Sequence, residues 1–291
     1  MFEGILTVSC TPFDARGRID FDAYGRLLEF LLDSGVHAIC PLGSTGEYYA
    51  LSLEERRSVL EFVAGEVKGK TRLFAGCNSS VVQEILAIGG HAKELGYEAA
   101  LMAAPYYALP STGELIAHFK AMDQALDLPI MLYNFPARTG VDMSPEFLEG
   151  VAGCENIFAI KESSGSNARM HEILTQFDGR LELVCGADDQ ALEYFLWGVR
   201  SWVAGASNFL PKQHVALYEA CVIEKDFAKG AALMKKLLPM LMYLEGGKYI
   251  QSVKYGCTLA GVPIGDPRPP LQALSGEEKS RFRARYESLM D

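Results

Sequence analysis

Residues 130–161 read IMLYNFPARTGVDMSPEFLEGVAGCENIFAIK, and this stretch decides the fold. It opens on a short β-rich apolar run, 130–133, and closes on a second one, 157–161. Between them lie a turn with Pro136 and Gly140 and a helical stretch over 145–151. Parallel neighbouring strands need such a crossover, so the unit reads as strand, helix, strand. Outward from it the same rhythm recurs, with candidate strands at 4–9, 38–42, 72–76, 99–103, 181–185 and 202–205. Helical periodicity follows each strand, at 21–33, 53–67, 81–95, 114–126, 168–177, 190–197 and 212–222. Ser52 with Glu55 three residues on marks a capping box. Eight such units close into a (β/α)8 TIM barrel of the α/β class. The competing arrangement, an open doubly wound sheet, has fewer strands and a glycine-rich first turn, which Ser9-Cys10-Thr11-Pro12 is not.

The strand rhythm stops near residue 224. Beyond it, 226–245, 247–260 and 276–288 read as three helices, separated by Gly246-Gly247 and a proline-rich stretch at 263–270. The expected organisation is a barrel over 1–224 with a three-helix C-terminal appendage over 225–291. A length of 291 residues suggests about two domains, yet barrels of about 250 residues fold as one unit.

Composition narrows the partners. Apolar residues make up 49% and charged residues 22%, which argues against disorder. With 27 basic and 37 acidic side chains the net charge is −10, which disfavours nucleic-acid backbones. No apolar run reaches the roughly 18 residues that span a bilayer, so no membrane partner is expected. Glu3 stands at the N-terminus without an early Lys or Arg, unlike a secretory signal, so a cytoplasmic location is expected. The seven cysteines, none closer than thirty residues to the next, form neither a disulfide framework nor a zinc site and read as buried reduced thiols.

Three motifs mislead. Residues 64–71, AGEVKGKT, nearly match a phosphate loop, but Ala64 stands where the first glycine belongs and the segment leads from helix to strand. His171-Glu172 begins like a zinc-binding helix, but Thr175 replaces the second ligand, so no metal is expected. No serine sits in G-x-S-x-G, so a hydrolase nucleophile is unsupported.

What remains lies at the C-terminal strand ends, where the loops of a barrel converge on its chemistry. Gly43-Ser44-Thr45-Gly46-Glu47 puts two hydroxyls in a glycine-flanked turn, which suits a carboxylate and equally suits plain loop punctuation. Tyr133 and Arg138 at the end of strand five read equally as a satisfied core ring and a surface charge. Lys161 ends an apolar run. It is either a lysine whose stem snorkels to water or a partly desolvated amine able to form a Schiff base with a ketone.

Taken together, the stretches at 43–47 (GSTGE), 133–140 (YNFPARTG) and 161–162 (KE) resemble the dihydrodipicolinate synthase / N-acetylneuraminate lyase family. Thr11-Pro12-Phe13 and Pro105-Tyr106-Tyr107 fit it as well, and the likeness covers nearly the whole chain. The resemblance implies a (β/α)8 barrel and a lyase in which Lys161 captures pyruvate or another 2-oxo acid as an iminium ion. Ser44 and Thr45 would hold the carboxylate, and Tyr133 would act as general acid and base. Thr45 and Tyr107 would relay the proton, Tyr107 reaching in from a neighbouring subunit of a homodimer or homotetramer. Arg138 would clamp the second substrate, and backbone at Gly186 and Val203 would lie beside the pyruvyl group. No cofactor is implied, because the lysine supplies the electron sink.

Arg138 and Tyr106-Tyr107 favour a synthase that condenses pyruvate with aspartate semialdehyde. The alternatives are an aldolase or dehydratase of 2-keto-3-deoxy sugar acids and an N-acetylneuraminate lyase. For these, Ser163 and the pair Asp188-Asp189 would bind sugar hydroxyls, although the aspartates equally read as a helix N-cap pair. Leu53 and Arg56 stand where lysine-inhibited members carry histidines, which weighs against lysine feedback. A barrel that senses a 2-oxo acid without turning it over is a more remote alternative, since it need not keep Lys161 with Tyr133.

Overall fold

In the computed structural model, which describes residues 2–290, each stretch read as a strand forms one. The strands are β1 Gly4–Val8, β2 Ala38–Cys40, β3 Arg72–Gly76, β4 Ala99–Ala103, β5 Ile130–Asn134, β6 Ile157–Glu162, β7 Glu182–Cys185 and β8 Ser201–Ala204. All neighbours pair in parallel in chain order, and β1 pairs β8 through Gly4↔Ser201 to Thr7↔Ala204, which closes the barrel. It is a TIM barrel.

The crossover helices are α1 Phe21–Asp33, α2 Leu53–Val67, α3 Val82–Glu94, α4 Thr112–Ala125, α5 Pro136–Thr139, α6 Pro145–Val151, α7 Asn167–Gln176, α8 Ala191–Leu196 and α9 Pro211–Tyr218. Ser52 and Glu55 form the capping box that opens α2, and Ser111 with Glu114 forms a second one at α4. The four-residue α5 was not anticipated; Pro136 starts it and Gly140, at φ +71°, ends it. The helix expected through residue 222 loosens after Tyr218 into one wide turn over Glu219–Ile223.

Two cores result from strand alternation. Leu6, Val8, Ala38, Cys40, Phe74, Leu101, Met131, Tyr133, Ala159, Val184 and Val203 fill the barrel. Their neighbours Ile5, Ile39, Ala75, Ala100, Leu132, Ile160, Cys185 and Trp202 pack outward beneath the helices. All seven cysteines are free; six are buried and Cys154 is half-buried. One register shift matters for function. Ile130 pairs with Ile157 but Met131 pairs with Ala159, so β6 carries one extra residue, Phe158, against β5. From there on, Tyr133 lies opposite Lys161 and both follow the inward parity.

The C-terminal region holds α10 Phe227–Glu245, α11 Tyr249–Leu259 and α12 Gly276–Met290. Helix α10 packs on α9, α11 and α12. Phe282 of α12 is fully buried, its ring centroid 5.7 Å from Phe209, 6.0 Å from Tyr243 and 5.6 Å from Tyr255. These contacts belong to the same apolar cluster as the outer barrel core. No helix among the described residues is long and apolar enough to cross a membrane.

Backbone packs on backbone where β3 ends. A Cβ on Gly76 would lie 2.0 Å from the Leu42 carbonyl oxygen. Gly76→Ala is expected to lower unfolding free energy by about 1–3 kcal/mol, as overpacking does, in a urea titration followed by circular dichroism. An unchanged midpoint would mean that the β2 end can move aside.

Candidate active site

A cavity of about 570 Å³ opens at the C-terminal end of the barrel. Lys161, Tyr133, Ser44, Thr45, Arg138, Ser163, Gly186 and Val203 all line it. Sequence positions spread over 160 residues thus converge on one space.

Lys161 lies at its floor. The side chain is 6% exposed, and Nζ sits 4.1 Å from the centroid of the Tyr133 ring, itself 5% exposed. Strand pairing causes this contact, since residues facing each other across parallel strands bring side chains of one parity together. A cation on a ring face is attracted by its quadrupole, which holds the amine beside the phenol. The stem does not snorkel to open water.

The walls are set by glycines that leave no room for a side chain. A Cβ on Gly186 would lie 2.1 Å from Ser163 Oγ and 2.7 Å from Lys161 Cγ; on Gly205 it would lie 2.5 Å from Tyr249 Oη and 2.9 Å from Thr45 Oγ1. Ser163 Oγ donates to the Gly186 carbonyl at 2.8 Å, which ties the strand-six and strand-seven ends together. The strand-two turn closes on itself through Gly46 N–H to Gly43 O at 3.0 Å and Glu47 N–H to Ser44 O at 3.1 Å. Arg138, on α5, is exposed at the rim with its guanidinium carbon 5.5 Å from the Phe135 ring centroid. A fixed positive charge therefore stands at the mouth of a cavity in an acidic protein.

One sequence expectation needs revision. Asp188 and Asp189 do not cap α8, which begins after Gln190 with no side-chain cap. Asp188 is buried and structural: its carboxylate accepts from Trp202 Nε1 at 2.9 Å, the Ala206 N–H at 3.2 Å and Tyr249 Oη. Tyr107 does not reach the cavity of its own chain. It is 95% exposed, with φ +70° in the left-handed region.

Sequence reasoning missed the contribution of the C-terminal helices. Glu245 at the end of α10 and Tyr249 at the start of α11 both line the cavity. Burial, and then the hydrogen bond and charge of Asp188, push the Tyr249 phenol well above its ordinary range. Burial raises Asp189, and the neighbouring Asp188 charge adds to it. Glu245, though exposed to solvent, is pushed up to about 7 by partial desolvation at the cavity edge, with the Asp188 and Asp189 charges adding to the effect. These residues make the cavity rich in acceptors, alongside its basic groups.

A model of the dihydrodipicolinate synthetase family matches residues 1–288 of the chain. The 4-hydroxy-tetrahydrodipicolinate synthase of Pseudomonas putida is 34% identical over 292 residues, covering 100% of each chain. The crystal structure of dihydrodipicolinate synthase from Aquifex aeolicus is similar with a TM-score of 0.93 at 32% identity, over 98% of this chain and 97% of that one. The chloride-inhibited synthase of Acinetobacter baumannii, solved in complex with pyruvate, is similar with a TM-score of 0.95 at 28% identity, over 100% and 99% of the two chains.

The raised Glu245 pKa has a stability consequence. Folding favours the protonated form, so the penalty is absent below the ordinary 4.5 and grows as pH rises through about 7. Glu245→Gln is expected to melt at the same temperature as the parent at pH 4 and only slightly higher at pH 8, since solvent around this exposed side chain screens most of the effect, in paired thermal scans. A variant that melts lower at pH 8 would mean that the carboxylate is held by a favourable partner instead.

Proposed function

The chain belongs to the dihydrodipicolinate synthetase family, and we propose that it joins pyruvate to aspartate semialdehyde through an imine on Lys161, as a 4-hydroxy-tetrahydrodipicolinate synthase. The observation that carries this reading is the buried Lys161 amine 4.1 Å from the Tyr133 ring, in one cavity with the Ser44-Thr45 turn.

The chemistry follows from that geometry. The Lys161 ammonium gives up a proton, the freed amine adds to the C2 carbonyl of pyruvate, and the resulting hydroxyl takes that proton and leaves as water, giving an iminium ion. The positive nitrogen draws electrons from C3, whose proton passes to solvent, leaving an enamine. Ser44 and Thr45 hold the pyruvate carboxylate by hydrogen bonds. The enamine carbon attacks the aldehyde while the Tyr133 phenol gives its proton to the developing alkoxide. The amino group of aspartate semialdehyde then displaces the lysine nitrogen from C2, which closes the ring and frees the enzyme. Arg138 holds the carboxylate of the second substrate at the mouth. Val203 and Gly186 bound the space beside the pyruvyl group, and the iminium serves as the electron sink that a cofactor would otherwise supply.

Thr45 and Tyr107 relay the phenol proton outward. Tyr107 does so from a neighbouring subunit, which makes the working form a homodimer or homotetramer, and the location is cytoplasmic. The solvent-facing Tyr107 ring supports this reading.

A second reading draws support from Ser163, Asp189 and Glu245 on the cavity wall, whose acceptors suit a hydroxylated aldehyde. It makes the protein an aldolase or dehydratase of 2-keto-3-deoxy sugar acids. Offering pyruvate with aspartate semialdehyde, glyceraldehyde or N-acetylmannosamine separates the readings. Turnover is expected with aspartate semialdehyde foremost; a preference for glyceraldehyde would move the assignment to the second reading, and one for N-acetylmannosamine to an N-acetylneuraminate lyase.

Tyr133→Phe removes the proton donor and leaves the ring. It is expected to lower kcat by about 10²–10⁴-fold while pyruvate capture on Lys161 survives. Full activity in this variant would remove the phenol from the mechanism.

A further inference from the structure

We propose that the buried ion pair between Glu47 and Lys254 is a positioning device for the Ser44-Thr45 turn, through which α11 sets the affinity of the cavity for its keto acid. This inference rests on the reading of the cavity as a pyruvate site and extends it to residues that do not line it. Glu47 Oε1 and Lys254 Nζ lie 2.7 Å apart with side chains 0% and 1% exposed. Stability alone is a poor reason for such a pair, because taking two charges out of water offsets most of their attraction. Geometry supplies a better one.

Glu47 sits at φ +54°, a left-handed conformation that a side chain other than glycine adopts only when its surroundings impose it. Its N–H donates to the Ser44 carbonyl at 3.1 Å, so the orientation of this residue closes the turn. The second carboxylate oxygen accepts from the Arg268 N–H at 3.0 Å, and Arg268 Nη1 donates to Ala50 O at 2.8 Å. Lys254 Nζ donates to the Asp266 carbonyl at 3.2 Å and lies 4.1 Å from the centroid of the Phe13 ring. The loop that carries Phe13 holds the turn from the other side, where Thr11 Oγ1 donates to Gly46 O at 2.7 Å. Three segments distant in sequence thus fix one pair of hydroxyls, and the Glu47–Lys254 pair joins them.

The double variant Glu47→Gln/Lys254→Met removes both charges at similar volume. The readout is the pyruvate concentration that gives half-maximal borohydride-trapped adduct, with a thermal scan alongside. The half-saturating concentration is expected to rise about tenfold, while trapping at saturating pyruvate and the melting temperature stay close to the parent. Should the double variant not fold, Glu47→Asp decides, since it keeps both charges and withdraws the carboxylate by one methylene. The same rise in half-saturation is expected. Unchanged half-saturation in a folded variant overturns the proposal, even where its melting temperature falls. A parent that traps no pyruvate at any concentration overturns the catalytic reading and this proposal together.

Discussion

The alternation of side chains in a closed parallel barrel, reset by one extra residue in β6, decides where the chemistry can be. Had β5 and β6 stayed in the register of Ile130↔Ile157, Tyr133 would face Ile160 and the amine would point toward the helices. The shift at Phe158 turns Lys161 inward, opposite Tyr133, at the end of the barrel where the loops open. The other candidate residues share the cavity with those two side chains. Val203, Gly186, the Ser44-Thr45 turn and Arg138 line the same cavity.

Groups of both charge signs line the same cavity. The chain carries a net charge of −10, which by itself repels anionic substrates. Lys161 and Arg138 bring basic groups to the cavity, and Asp189 and Glu245, both with raised pKa values, line it as well. Asp188 belongs to the framework: three donors hold its carboxylate, and through Tyr249 it anchors the start of α11 to the mouth of the barrel. A substrate with an anionic end and a donor-bearing end suits this mixed lining.

Most of the barrel was legible in sequence because its signals are local. Short apolar runs, crossover lengths and the Ser52–Glu55 capping box each depend on neighbours within a few residues. Lys161, Tyr133, Ser44, Thr45 and Arg138 could be singled out because they stand at strand ends in distinctive turns. Glu245 and Tyr249 could not, since nothing near them in sequence says that α10 and α11 fold back over the cavity. The Asp188-Asp189 pair misled because two aspartates before a helix look like caps, and only the packing of Trp202 and Tyr249 reveals the other use of Asp188. The pairing of Glu47 with Lys254 is likewise a long-range fact.

The most direct measurement is mass spectrometry of the protein after reduction with borohydride in the presence of pyruvate, followed by digestion and peptide mapping. A single reduced pyruvyl adduct on the peptide containing Lys161, lost in Lys161→Ala, is the result expected of a dry amine beside the Tyr133 phenol. An unmodified protein, or an adduct carried by any other lysine, would contradict it.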